Sequence, residues 1–270
     1  MLVLILAAGH VIIRESARPA STAVNLASLY WIYYKEDLNR LHALDPALIA
    51  ATLSGPGTYA LEQSEAGSRL PAGAIPIQLF FGSAGFATAL RQQTIISGVR
   101  NVAYDPEDWP ATPVAEQQNP LAAMKSFAGA AKSHRLRPML LPGRDLMQVP
   151  GEVCAKKQGD TLSQAYLSCK IPTAAADAPV FVIQSAPVEA DLTQLVNLVR
   201  QASVQARTVN PKVIIIATLN TAPGGTPISS AKVTEVARKI LPYVQGFLIN
   251  STRATDPAMI SFLQALQNGS

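Results

Sequence analysis

From residue 75 onward, apolar and polar positions alternate along the chain in a regular way. Short runs of apolar, often β-branched, residues are each followed by a longer stretch with apolar residues at helical spacing, which predicts strands alternating with helices. The predicted strands span 75–81, 99–104, 137–141, 180–184, 212–219 and 246–250. The predicted helices span 86–96, 120–134, 191–209, 229–241 and 256–269.

The predicted strands are apolar on both faces, which indicates a mainly parallel sheet with helices on each side. This pattern favours an α/β fold of the (β/α)8, TIM-like barrel type, with an open doubly wound sheet as the alternative. Six strands are two short of a closed barrel, so the barrel is incomplete unless further strands exist. The candidates are residues 2–6 and the irregular stretch 145–178, which would otherwise form a cap over one end.

The chain before residue 75 has a different pattern and predicts a helical extension of the barrel. Residues 26–44 carry apolar and aromatic side chains at helical spacing, and a second helix is expected over 46–53. A turn over 54–57 and a loop over 62–73 follow. The sequence therefore divides into a leader (1–22), an N-terminal helical segment packed on the barrel (23–74) and the barrel domain (75–270).

The leader is a run of twelve largely apolar residues, 2–13, followed by Arg14, Glu15 and Arg18. A helix of this length spans about 18 Å, too little for a bilayer core of about 30 Å, so the run is typical of a secretory signal. No Lys or Arg precedes the run, as one normally does in a signal; a start codon further upstream would supply one. We expect a secreted or cell-envelope protein, whereas a core strand at 2–6 would indicate a cytoplasmic one.

Composition supports a large buried core and argues against several classes of function. Hydrophobic residues make up 49% of the chain, and the net charge of +4 comes without a long basic run, so nucleic-acid binding is not expected. The histidines lack metal-ligand spacing, and no G-x-S-x-G turn or P-loop is present, so we expect no metal site and no cofactor. In an exported protein, Cys154 and Cys169 would form a disulfide that contributes about 3 kcal/mol.

Nearly every predicted strand ends in a carboxylate, amide or hydroxyl side chain. In parallel α/β folds the carboxyl ends of the strands carry the active site, and such groups suit a polar, hydroxyl-rich ligand. The alternative is that loops are polar in any case, and that Asn and Ser cap helices. The strand-end segments are 81–83, 105–109, 143–145, 184–185, 220–221 and 250–252.

The richest strand end contains Asp105, Glu107 and Trp109. In an extended chain, residues two apart face the same way about 6–7 Å apart, so the two carboxylates are expected to share one pocket. Neighbouring carboxylates separate in pKa, which favours a protonated acid beside an ionised partner, as in glycoside hydrolases. Trp109 would offer a flat wall for a sugar ring. The alternative is that the carboxylates cap the next helix or pair with Arg144.

The segment from Tyr104 to Pro120 reads Y-D-P-E-D-W-P-A-T-P-V-A-E-Q-Q-N-P. It resembles a Y-D-x-E-x-W-x-x-T-P-x-x-E-Q-x-x-P segment of uncharacterised bacterial secreted (β/α)-barrel proteins, with a more generic likeness over 75–265. The resemblance implies a barrel of glycoside-hydrolase-like shape and no established activity. Glu116 and Gln117 are expected to hydrogen-bond to the loop of Asp105 or to Arg91.

The resulting hypothesis is an exported barrel that binds, and in its catalytic version hydrolyses, a carbohydrate or other polyol. Glu107 would be the general acid, Asp105 would orient it or stabilise positive charge, and Asp145 would be the second carboxylate. The alternatives are a non-catalytic ligand- or surface-binding barrel and a scaffold without a ligand. The predicted ligand contacts are Tyr104, Trp109, Arg144, Gln184, Asn220 and Asn250.

Overall fold

The computed structural model describes residues 23–63, 69–151, 153–189 and 191–269. Eight parallel strands follow one another around a closed barrel in chain order, with β8 pairing back onto β1. The strands are β1 (Tyr30–Tyr34), β2 (Gly57–Glu62), β3 (Ile75–Phe80), β4 (Asn101–Tyr104), β5 (Arg137–Leu140), β6 (Val180–Ile183), β7 (Ile214–Asn220) and β8 (Gly246–Asn250).

Helices follow the strands and cover the outside of the barrel. Asp45, Asn119, Asp191 and Ser229 each cap the following helix by accepting a hydrogen bond from a first-turn amide. The helices are α1 (Lys35–Leu44), α2 (Pro46–Leu53), α3 (Ser83–Gln92), α4 (Val114–Gln118), α5 (Pro120–Ser133), α6 (Leu162–Ser168), α7 (Ile171–Ala175), α8 (Leu192–Val209), α9 (Ser230–Ile240) and α10 (Asp256–Asn268).

The prediction of a TIM-like barrel is confirmed, and the open-sheet alternative is excluded by the closed strand order. The prediction of a continuous helix over 26–44 is wrong, because Tyr30–Tyr34 is the first strand and the helix begins only at Lys35. Residues Gly57–Glu62 form the second strand, although the sequence pattern predicted a turn at its first residue and a loop at its last. The segment 23–74 therefore completes the barrel instead of packing on it as a helical layer.

The physical reason lies in the side chains of β1, which are buried on both faces. Ile32 belongs to the packed interior of the barrel, whereas Trp31 and Tyr33 pack outward against helices. A strand buried on both sides has no polar positions to reveal a period of two, and its apolar residues also match helical spacing. The first of the two missing strands was therefore present in a segment whose pattern favoured a helix.

The core has two layers separated by the sheet. Alternation along each strand sends every second side chain into the barrel and the others toward the helices. The inner cluster consists of Ile32, Tyr59, Leu61, Ile77, Leu79, Ala103, Met139, Leu141, Val180, Val182, Ile216 and Leu248.

An ionic network fastens the seam where β8 meets β1. Arg40 on α1 donates to Asp256 (Nε to Oδ2, 2.8 Å) and to Asp37 (Nη2 to Oδ1, 2.9 Å). Ser251, just past β8, donates its hydroxyl to Asp256 and its amide to Asp37. The first and last helices are thus joined across the closure of the barrel.

The stretch 145–178 adds no strand among its described residues, since β5 pairs directly with β6. It contains a 3-10 helix over Asp145–Gln148, helices α6 and α7, and a disulfide that joins Cys154 to Cys169 with 5.4 Å between their Cα atoms. The sequence left open whether this stretch hides a strand. Its described residues form short helices and loops between β5 and β6, with no strand. The predicted leader and the candidate strand at 2–6 lie outside the described residues. In the part of the chain that is described, no helix has the length and apolar character needed to cross a bilayer.

Candidate active site

The inward-facing positions beyond the carboxyl ends of the strands form one mouth. Inner-layer residues Ala103, Val182 and Leu248 fix the alternation on β4, β6 and β8. Two residues further along each strand come Asp105, Gln184 and Asn250, so these face the same interior axis. Asn220 occupies the same position on β7 and pairs in register with Asn250.

The loop after β4 is held from outside by Tyr104 and Glu116. The Tyr104 hydroxyl donates to Glu116 Oε2 over 2.5 Å, and Glu116 also accepts from the amide and hydroxyl of Ser83. The Tyr104 ring is fully buried and stacks on Phe127, with 4.9 Å between the ring centroids. The predicted ligand contact of Tyr104 is therefore corrected: the side chain points away from the mouth and supports the loop.

Thr112 and Gln117 hold the same loop from within. The Thr112 hydroxyl accepts from the Glu107 amide and from Trp109 Nε1, both over 3.1 Å. Gln117 Nε2 donates to the carbonyls of Trp109 and Thr112, both over 2.8 Å. The expected bond from Gln117 to this loop is thus present, whereas Glu116 bonds to Tyr104 and α3. Most polar residues of the motif from Tyr104 to Pro120 serve to fix the backbone from which Asp105 and Glu107 project.

Gln184 joins two carboxylates at the centre of the mouth. Its Nε2 donates to Asp105 Oδ1 over 3.0 Å and to Glu107 Oε1 over 3.2 Å. Because both bonds end at one nitrogen, the two carboxylate oxygens lie no farther apart than about 6.2 Å. Thr218 donates to Gln184 Oε1 over 3.3 Å, which orients the amide with its NH2 group toward the acids.

A third carboxylate, Asp145, reaches the same place from the loop after β5. Gly143 allows this approach: a methyl group at its Cα would collide with Asp145 Oδ1 and lie 3.0 Å from Glu107 Cγ. The Gly143 amide also donates to the carbonyl of Pro106 over 2.8 Å, which ties the two loops together. Asp145 Oδ1 is buried without a hydrogen-bond partner among the described residues.

The environment of these acids raises their pKa values. Burial raises the pKa of Asp105 well above its usual range, and the charge of Glu107 adds to the effect. Burial, followed by the charge of Asp145, raises the pKa of Glu107 to about 7, and burial likewise raises that of Asp145. None of the three forms an ion pair with a described cation. With a pKa of about 7, Glu107 is therefore partly protonated at neutral pH, the state required of a general acid.

Arg144 does not take the expected position beside the ligand. The side chain is buried; its Nε donates to the carbonyl of Gln184 over 3.2 Å and its Nη1 donates to Ser163 over 2.8 Å. Arg144 therefore supports the end of β6 from behind. The alternative reading, in which Arg144 neutralises Asp105 or Glu107, is also wrong, because neither carboxylate contacts the guanidinium in an ion pair.

The remaining predicted contacts lie around the rim. Trp109 is 37% exposed and packs edge-on against Phe81, with 4.6 Å between the ring centroids. Asn220 Oδ1 accepts from the Ala222 amide over 2.7 Å, so its carbonyl oxygen shapes the turn after β7. The Asn250 side chain is half-buried, and no hydrogen bond links it to the described residues.

Two residues of the mouth were missed by the sequence analysis. Tyr34 ends β1 and faces inward, and its segment had been assigned to a helix. Glu189 follows β6 and is 1% exposed; its Oε1 accepts from the Asn220 amide over 2.9 Å, and its Oε2 has no partner among the described residues. Only the strand assignment of 30–34 would have placed Tyr34. No local pattern distinguishes Glu189 from an exposed loop glutamate.

Glu189 should make the stability of the protein depend on pH. Burial raises its pKa from 4.5 to about 9, so the fold favours the protonated acid, and stability is lost as the pH rises from 4.5 to 9. Near pH 7 this cost is of the order of 3 kcal/mol. Glu189→Gln is expected to raise the melting temperature relative to the wild type at pH 8–9 and to have little effect at pH 4–5.

The control for this measurement is Glu235→Gln, at an exposed position on α9. Thermal melts at pH 5, 7 and 9 should give parallel curves for the wild type and Glu235→Gln. If the melting temperatures of Glu189→Gln and the wild type change with pH in the same way, Glu189 is not the acid that makes stability depend on pH.

Among the described residues, no group of three or more His, Cys, Asp or Glu side chains is arranged to hold a metal ion.

Comparisons with known proteins give a distant likeness of fold. No family model and no curated protein matches the chain. An endo-β-1,3-glucanase of Amycolatopsis mediterranei in complex with laminaritriose is 14% identical, with 90% of this chain and 100% of that chain covered and a TM-score of 0.47. An exo-β-1,3-glucanase of Blastomyces gilchristii in complex with glucose is 12% identical, with 84% and 90% covered and a TM-score of 0.46.

An amidohydrolase of Burkholderia multivorans is similar to the same degree, with 10% identity, 91% of each chain covered and a TM-score of 0.46. The similar structures thus include two different kinds of hydrolase. At TM-scores below 0.5 they give no basis for choosing a reaction, which has to be inferred from the residues of this chain.

Proposed function

We propose that this protein binds a carbohydrate or a similar polyol at the mouth of its barrel and hydrolyses a glycosidic bond there. The observation that carries the proposal is the cluster of Asp105, Glu107 and Asp145, three carboxyl groups that lie close together and form no ion pair with any cation of the described residues. Grouping unpaired acids in a buried place is costly for folding, and such pairs of acids perform general acid and nucleophile roles in glycoside hydrolysis.

Glu107 would act as the general acid. Its pKa of about 7 leaves much of it protonated at neutral pH, and its carboxyl is fixed by Gln184. The proton passes to the glycosidic oxygen as the bond from the anomeric carbon to that oxygen breaks. An ionised neighbour, Asp145, stabilises the positive charge that develops on the sugar or attacks it. Water then adds at the anomeric carbon and returns a proton to Glu107.

A second candidate function is binding without catalysis. All three acids project from the loops after β4 and β5, whereas β7 and β8, across the mouth, end in the amides of Asn220 and Asn250. Such amides hold hydroxyl groups through hydrogen bonds without taking part in a reaction. This side of the mouth therefore suits a barrel that binds a polyol and does not hydrolyse it.

The experiment is a screen with two readouts on the wild-type protein. A panel of p-nitrophenyl glycosides and of cello-, laminari-, malto- and chito-oligosaccharides is tested for product release by chromatography and for binding by calorimetry. Release of product supports hydrolysis, and binding without release supports the second candidate. If no member of the panel binds or reacts, the carbohydrate proposal is refuted.

Trp109 provides a separate prediction about binding. Its exposed ring beside Phe81 would stack on a sugar face, so Trp109→Ala should weaken oligosaccharide affinity about tenfold, while Trp109→Phe should retain most of it. The other tryptophan, Trp31, is fully buried, so a change in intrinsic fluorescence on titration reports on Trp109. Equal affinities for the wild type and Trp109→Ala would remove this residue from the site.

A further inference from the structure

A cavity of about 350 Å³ opens at the carboxyl ends of β1 to β3. Its floor is apolar and comes from the inner barrel layer, while its walls carry charged and amide groups. A volume at the lower end of the range for small-molecule sites fits a single small polar unit. The cavity is lined by Tyr34, Lys35, Glu36, Leu61, Glu62, Gln63 and Leu79.

One wall of this cavity is a buried ion pair. Lys35 Nζ lies 2.7 Å from Glu62 Oε2, and the side chains are only 8% and 7% exposed. Removing two such charges from water costs about as much as their attraction returns, so the pair is a poor device for stability. It does place an ammonium donor and carboxylate acceptors at a fixed position beside the cavity. Adjacent hydroxyl groups of a sugar, each both donor and acceptor, match that arrangement.

Tyr34 connects the cavity with the acids. It lines the cavity as the last residue of β1 and packs against the inner cluster of the barrel. The acids adjoin the same edge, because the Asp105 amide donates to the Phe80 carbonyl at the end of β3 over 3.0 Å. Burial raises the pKa of the Tyr34 phenol, and the charges of Asp105 and Glu107 raise it further, so the hydroxyl keeps its proton. The Tyr34 hydroxyl is therefore a hydrogen-bond donor at the border between this cavity and the acid cluster.

We infer that this cavity is a subsite for the sugar unit adjacent to the bond held at Glu107, with Lys35 and Glu62 binding its hydroxyls and Tyr34 bordering both units. The inference rests on the proposed function. It predicts that the protein acts on ligands of two or more units in preference to single sugars. The preference would come from contacts between the second sugar unit and the cavity at the carboxyl ends of β1 to β3.

The test compares p-nitrophenyl monosaccharides with the p-nitrophenyl glycosides of cellobiose, laminaribiose and maltose. The readout is the ratio of kcat/KM for a disaccharide to that for its monosaccharide, expected to be tenfold or more in the wild type. The double variant K35M/E62Q removes both charges together, which avoids leaving one buried charge unpaired. It should lower the ratio at least fivefold, and Tyr34→Phe, which keeps the ring, should also lower it.

Glu235→Gln is the matched control, since it breaks an exposed lysine–glutamate pair on α9 and should preserve both activity and the ratio. Circular dichroism establishes that each variant is folded. A wild-type ratio near one, or an unchanged ratio in folded K35M/E62Q and Tyr34→Phe, overturns the subsite while leaving the proposed hydrolysis intact. Absence of any binding or turnover by the wild type overturns the proposed function and the subsite together.

Discussion

Glu107→Gln is expected to lower glycan turnover by about 10³-fold while leaving oligosaccharide binding within a few-fold of the wild type. Glutamine keeps the size of the side chain and its contact with Gln184, but it has no proton to give to the leaving oxygen. Steady-state hydrolysis of the best substrate from the screen measures the first effect, and calorimetry measures the second. Full turnover by the folded variant would exclude Glu107 as the general acid.

The neighbouring Asp108→Asn serves as the control for this change. Asp108 belongs to the same loop, is exposed and accepts a hydrogen bond from Gln148 at the surface. Its amide variant keeps the backbone amide that hydrogen-bonds to Asp145, and the charge of Asp108 is a smaller influence on Asp145 than burial is, so turnover should stay within about twofold of the wild type.

The pH profile gives an independent check on Glu107. Since the acid must be protonated and its pKa is raised to about 7, kcat/KM should be high below pH 7 and fall as the pH rises through that value. Because Asp105 and Asp145 interact with Glu107, the apparent value belongs to the group as a whole. If kcat/KM falls only above pH 9, the general acid is a group other than Glu107.

Gly246→Ala is expected to destabilise the barrel by about 4 kcal/mol or more, and to lower the melting temperature by about 10 °C. Gly246 begins β8 at the seam, where it pairs in register with Tyr30 of β1 and Ile216 of β7. A Cβ atom there would collide with the backbone carbonyl of Tyr30. Because the colliding atoms belong to the backbone of β1, the collision can be removed only if β1 and β8 move apart where the barrel closes.

Gly129→Ala is the control for this substitution. Gly129 lies inside α5 with no atom within 4 Å of the added methyl, so alanine should stabilise the protein by about 1 kcal/mol through its higher helix propensity. Urea denaturation of both variants compares them directly. If Gly246→Ala unfolds at the same urea concentration as the wild type, the seam is more adaptable than the close contact indicates.

The sequence by itself determined the barrel from residue 75 onward. Strands β3 to β8 are apolar runs bounded by polar residues, and the longer helices α3, α5, α8, α9 and α10 carry apolar residues at helical spacing, so local burial and local pattern agree there. The short helices α4, α6 and α7 were not predicted. The sequence also indicated that Asp105 and Glu107 share a face, since that follows from alternation along one strand.

Only the tertiary structure decided the rest. Tyr30–Tyr34 is a strand because β2 and β8 bind it on either side and helices cover it, and no local pattern contains those partners. Tyr104 ends β4 and Arg144 follows β5, as ligand-binding residues do, yet packing turns both toward the support of the neighbouring backbone. Gln184 and Asp145 come close to Glu107 because the barrel brings distant segments together. A sequence pattern indicates on which face of a strand a side chain lies. The residues that this side chain contacts depend on which strands the closed barrel brings together.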